Sequence, residues 1–127
     1  MTPAAFIRST LVSQLEQIPE ISAEHIHTFF IPDYDDATDA PILVISEIPE
    51  ASQDYGNDAP IQATKQVQLQ FYYPDKYTKD MDAIETKVKQ ALLAKRIRCF
   101  SDAGHMRAPE SKNMTNTLKF RFIKEAI

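Results

Sequence analysis

Residues 65–74 read KQVQLQFYYP, and their alternation is strict. Val67, Leu69, Phe71 and Tyr73 fall on one face, and Gln66, Gln68, Gln70 and Tyr72 on the other. A period of two predicts a strand with one face on a core. Elsewhere the apolar spacing is helical. Ile7, Leu11, Leu15 and Ile18, widened by Phe6 and Val12, predict an opening helix over 3–18, with Thr2 as its cap, Pro3 in its first turn and Pro19 as its stop. Met81, Ile84, Val88, Ala91, Leu92 and Lys95 predict a second helix over about 80–95. Glu85 and Lys89 then read as a supporting pair on its outside, worth a few tenths of a kcal/mol.

Four further strands complete the pattern. HIHTFFIP, 25–32, sets Ile26, Thr28 and Phe30 against His25, His27 and Phe29. PILVISEIP, 41–49, is a nearly continuous apolar run, expected as a central strand covered on both faces. In 116–124, Leu118, Phe120 and Phe122 alternate with Lys119, Arg121 and Ile123, and a shorter strand is expected over 98–101. Between them lie an acidic loop with Asp33, Asp35, Asp36 and Asp39, and the stretch EASQDYGNDAP, 50–60, expected to be a mobile loop or extended arm. The order α, β, β, β, α, β, β predicts an α+β fold: an antiparallel or mixed β-sheet of about four to five strands with two helices packed on one face.

Composition narrows the choices. At 127 residues with 43% hydrophobic content the chain is read as a single domain, 1–127, able to bury its own core. One cysteine, Cys99, leaves no internal disulfide and no Cys/His set for structural zinc. Two glycines, Gly56 and Gly104, cannot build a glycine-rich phosphate cradle. A net charge of −4 argues against a nucleic-acid surface as the main function. No stretch has the length of a signal-peptide core or a membrane span, so a protein made and kept inside the cell is expected.

Candidate chemistry is sparse. The four aspartates of 33–39 lack the mid-loop glycine and closing glutamate of a calcium loop, and read as solvated. His25 and His27 are spaced to share a metal, but nothing in the sequence ties the distant His105 to them. Cys99 reads as a small thiol within a strand. No Gly-x-Ser-x-Gly elbow or other nucleophile arrangement occurs. A non-enzyme without cofactor or metal is expected.

What remains are surfaces. Basic residues crowd the C-terminal third, among them Lys95, Arg96, Arg98, Arg107, Lys119 and Arg121, while acidic ones crowd the first 60 positions. This asymmetry reads either as a solvated surface or as two ends of a head-to-tail contact. The face of Gln66, Gln68, Gln70 and Tyr72 is uncharged. It reads as an ordinary wet face, or as one that must exist alone and later be covered, since amides lose less than lysines on desolvation. Candidate interface residues are these four, with Asp54, Tyr55 and Asn57 on the expected arm, and Arg96 and Arg98.

Element order and texture together resemble the small tail-component proteins of long-tailed phages and prophages of Gram-positive bacteria, the tail terminators and tail-to-head joining proteins. The opening helix ending at QIPEI, the strands HTFFIPD, PILVISEIP and QVQLQFYYPD, the helix DMDAIETKVKQAL and the closing TLKFRFIKE carry that resemblance. It implies a subunit of a ring, commonly a hexamer, that ends the tail tube and joins it to the head. Its partners are implied to be copies of itself, the tail tube protein and a head-completion protein, with DNA passing through the lumen without specific binding and no membrane contact. It places the protein in the host cytoplasm during assembly and then in the virion tail. A small non-enzymatic module that holds a ligand or peptide on its sheet stands as the alternative.

Overall fold

The computed structural model describes residues 2–32, 40–49, 53–56, 59–75, 77–108 and 113–125, and for 53–56, 59–63, 124 and 125 the backbone alone. In chain order the elements are α1 (Pro3–Val12), β1 (Ile26–Thr28), β2 (Ile42–Ile48), β3 (Gln53–Gly56), β4 (Ala59–Tyr73), α2 (Met81–Leu93), β5 (Arg98–Asp102), β6 (Met106–Arg107) and β7 (Met114–Glu125). The architecture is α+β, and β3 and β6 are short additions to the strands expected from sequence.

Both helices start where local chemistry allows. Thr2 Oγ1 accepts from Ala5 N at 3.1 Å and Asp80 Oδ1 accepts from Ala83 N at 3.2 Å, each relieving an amide that the first turn leaves unpaired. α1 ends at Val12, short of the expected Ile18. The hydroxyls of Thr10 and Ser13 donate to the carbonyls of Phe6 and Thr10 at 2.9 and 2.7 Å, competing with the helical ladder there. A 3₁₀ turn at Leu15–Gln17 follows, and Ile18 still reaches the core.

The sheet is mixed, with the order β1-β2-β4-β7-β5. β1 lies parallel to β2, and all other pairings are antiparallel. Its spine is the β4–β7 pair, in register from Gln62↔Glu125 to Tyr73↔Met114. α2 connects β4 to β5, which flank β7 and therefore run parallel to each other, as in a split β-α-β unit. β3 pairs with β4 over 59–63 and β6 with β7 over 114–115, beyond the ends of β2 and β5 respectively.

Periodicity decides the core. Leu43 and Ile45 of β2, Val67, Leu69, Phe71 and Tyr73 of β4, and Leu118 and Phe120 of β7 share one face and are buried under Ile7 and Leu11 of α1 and Ile84, Val88 and Leu92 of α2. Each such side chain contributes about 1.5–3 kcal/mol of transfer free energy. The helices are pinned to one another by Gln14 Nε2 donating to Ala91 O (3.0 Å). Arg8 fixes α1 to the chain entering β1, through Nε to Ile26 O (2.8 Å) and Nη2 to Ala23 O (3.1 Å).

Two expectations are corrected, and one on β2 is met. The strand expected over 25–32 stops at Thr28, because Phe29 takes a φ of 71° that ends the extended run, leaving Phe29 and Phe30 exposed. β2 is interior and, as expected, buried on both faces over Ile42–Ile45: Leu43 and Ile45 lie under the helices, while Ile42 and Val44 on the other face are only 7% and 9% exposed. The irregular stretch expected over 50–60 is largely a hairpin of β3 and the start of β4, so the glutamine strand begins at Ala59 and not at Lys65. Pro60 is tolerated because β7 pairs with β4 only from Gln62 onward and the β3 ladder is bulged between Asp54 and Tyr55. The acidic segment 33–39 and Asn57 lie outside the described residues.

Candidate assembly interface

The face of the sheet opposite the helices has three stripes, set by strand register. β2 contributes Ile42, Val44, Ser46 and Ile48, which pair with Tyr72, Gln70, Gln68 and Gln66 of β4. Those in turn pair with Thr115, Thr117, Lys119 and Arg121 of β7. Ile42 and Val44 are buried within the chain and Ser46 and Ile48 half-buried, so the accessible surface passes from neutral amide to cationic. Gln66, Gln68, Gln70 and Tyr72 are all half-buried, packed among their neighbours in the sheet. Burial also raises the Tyr72 phenol above its ordinary 10.0, favouring its neutral form.

The cationic stripe continues onto β5, where Arg98 pairs with Arg121. A bulge between Cys99 and Ser101 inserts Phe100 as an extra residue, and the Arg121 guanidinium lies 5.4 Å from its ring centroid. Cys99 Sγ lies half-buried, 3.4 Å from Ser101 O. At the Gln66 end, Lys95, Arg96, Arg98 and Arg121 line a groove of about 870 Å³ with Phe6, Thr64, Phe122 and Ile123. Arg96 stands in the turn after α2 with φ 63°, which aims the chain into β5. The structure thus places Arg96 and Arg98 in one groove, and the four residues Gln66 to Tyr72 in one row that ends beside it. Asp54 and Tyr55 belong to β3. A smaller hollow of about 310 Å³ lies at the other end of the row, lined by Gln70, Tyr72, Met106, Arg107 and Thr115.

Behind the sheet lies a polar cluster that the sequence reading missed. Glu85, expected on the outside of its helix, is 1% exposed. Its carboxylate accepts from Tyr73 Oη at 2.5 Å and Asn116 Nδ2 at 2.7 Å. His105 Nε2 lies 2.8 Å from the same oxygen as Tyr73, so that nitrogen carries the proton, because a carboxylate only accepts. Asn116 Nδ2 also donates to Asp102 Oδ1 (3.0 Å), whose Oδ2 accepts from Lys89 at 2.9 Å. The Lys89 bond is the main reason the Asp102 carboxyl sits below its ordinary range. Lys89 thus pairs with β5 in place of Glu85, and His105 is tied in after all. The cluster clamps α2 and the β5–β6 turn onto β7. Its signal was present: positions 81, 85, 88 and 92 repeat at helical spacing, so Glu85 falls inside the buried stripe.

His27 is buried in β1, and His25 sits in the 3₁₀ turn before it. Among the described residues no three His, Cys, Asp or Glu side chains come together to hold a metal ion. No described helix is long and apolar enough to cross a membrane.

The chain has an α+β fold whose two α-helices pack on one face of a mixed sheet. Over residues 8–125 it matches the family model described as protein of unknown function (DUF806), and the chain belongs to that family. No curated protein matches it.

Proposed function

We propose that this chain is a structural subunit of a long phage tail. It packs against copies of itself into a ring that ends the tail tube and joins it to the head, with tube and head-completion proteins as its other partners and no catalytic role. DNA passing through the ring without specific binding belongs to the same reading. The observation that carries it is the sheet face away from the helices, on which Gln66, Gln68, Gln70 and Tyr72 form a half-buried neutral row beside a cationic one. Such a row is stable in water and can be hydrogen-bonded when covered, whereas lysines there would lose far more on desolvation. Rows of different chemistry also fix the register of a partner. The hairpin of β3 and β4 reaches beyond β2, where it can meet a neighbour.

The test is Gln68→Lys with Gln70→Lys. Circular dichroism and melting should match the parent, because both side chains point away from the core, while light scattering and electron microscopy should show assembly and tail completion lost. Tails that finish normally with this variant would sink the reading.

The hollow beside Gln70 and Tyr72 favours a second reading, a small non-enzymatic module that holds a ligand or peptide. It predicts a monomer at every concentration and a ligand lost on Tyr72→Ala.

A further inference from the structure

We propose that the basic groove after α2 receives the acidic segment 33–39 of a second copy of this chain, joining subunits head to tail. The inference rests on the self-assembly part of the function proposed above and names the contact that would drive it.

The groove collects Lys95, Arg96, Arg98 and Arg121, and among the described residues no carboxylate lines it. Among the described residues, none of these four is in an ion pair. Four cations converging without a counter-charge repel one another, and three guanidinium forks suit carboxylates. Phe6 and Ile123, 38% and 63% exposed, add an apolar wall.

The segment DYDDATD supplies the complement: four aspartates, no cation, and Tyr34 to lie on the apolar wall. The same complementarity runs through the whole chain. The first 60 residues carry eleven carboxylates and a single cation, Arg8, while the rest carry seven carboxylates and thirteen cations. Arg8 is spent on backbone carbonyls inside its own subunit.

A second copy is the occupant that the charge distribution asks for, since the acidic half of one chain then meets the basic half of the next. A contact between two different patches is heterologous, and closes into a ring when the rotation allows.

The experiment has two arms on the full-length protein. In the first, a labelled peptide of residues 31–41 is titrated into the protein by fluorescence anisotropy. Binding is expected, weakened at least about tenfold by Lys95→Glu with Arg98→Glu and by raising salt to about 0.5 M. In the second, self-association is followed by light scattering for that groove reversal, for Asp35→Lys with Asp36→Lys, and for a chain carrying all four changes. Each reversal alone should lose association and the fourfold variant should recover it, with unchanged circular dichroism throughout. Peptide binding by a chain that stays monomeric supports the groove and overturns the ring. A ring that forms without peptide binding, or that survives both reversals, overturns the groove and leaves the ring standing. Failure of the fourfold variant to recover, or a groove that shifts duplex DNA while ignoring the peptide, overturns the pairing.

Discussion

Glu85 is tolerated inside the protein only while Tyr73, Asn116 and His105 all donate to it. Glu85→Gln offers one accepting oxygen and sets an amide N–H against a donor, so urea unfolding should show a loss of about 3 kcal/mol. Tyr73→Phe keeps the ring stacked between Phe71 and Tyr77 and should cost about 1–2 kcal/mol. The same hydroxyl shapes the pH dependence. Burial first, then donation to Glu85, raises the Tyr73 phenol far above its ordinary 10.0. Above pH 10.0 the unfolded chain releases this proton and the folded chain keeps it. Stability is thus fully present below that pH and falls above it, by up to about 1.4 kcal/mol per unit. Tyr73→Phe should make this alkaline slope shallower without removing it, because Tyr72 and Tyr77 are raised as well. At the acid end, Lys89 and Lys87 hold Asp102 and Glu20 below their ordinary 3.8 and 4.5. That contribution is present above those values and lost as pH falls through the depressed ones. Both pairs are partly exposed, so less than about 1 kcal/mol each is at stake. A melt followed from pH 2 to about 12 should therefore be gentler on its acid side than on its alkaline side.

At the scale of elements, the hairpin of β3 and β4 is an addition to a sheet that is complete without it. β4 from Gln62 onward already pairs with β7, so deleting 52–58 removes only the β3 ladder. Closure entropy changes slowly with loop length, and urea unfolding of the deletion should stay within about 1 kcal/mol of the parent while assembly is impaired. A global collapse would mean that β3 is a structural strand. The hairpin was hidden from the sequence because SQDYG has no alternation and Pro60 argues against a strand. Only the pairing partners make the segment extended. By contrast, both helices and the strand 65–74 were legible, because caps and periodicity act within a few residues: Thr2, Asp80 and the Val67 to Tyr73 alternation all stand where local chemistry puts them. The early end of α1 was legible only in hindsight, since hydroxyls at Thr10 and Ser13 bond to carbonyls only once a helix exists. The Glu85 cluster depends on β5, the β6 turn and β7 meeting above α2, and no spacing in the chain announces that His105 and Asn116 converge on one carboxylate.

Over the whole molecule, two surfaces of different physics lie side by side. The amide row and the half-buried Ile48 beside it gain from being covered in a way that salt does not screen. The groove of Lys95, Arg96, Arg98 and Arg121 acts through charge, and exposed charges lose their reach beyond about 8–10 Å at physiological salt. Self-association driven by both should weaken several-fold between about 0.05 and 0.5 M sodium chloride without vanishing. Gln68→Lys with Gln70→Lys should abolish it at both concentrations, since the new ammonium groups stand beside Lys119 and must be desolvated before the face can close. Light scattering across a dilution series at the two salts measures this directly. Mass that does not respond to salt would show the segregation of acidic and basic residues to be a solvated surface, with the sheet face alone joining subunits.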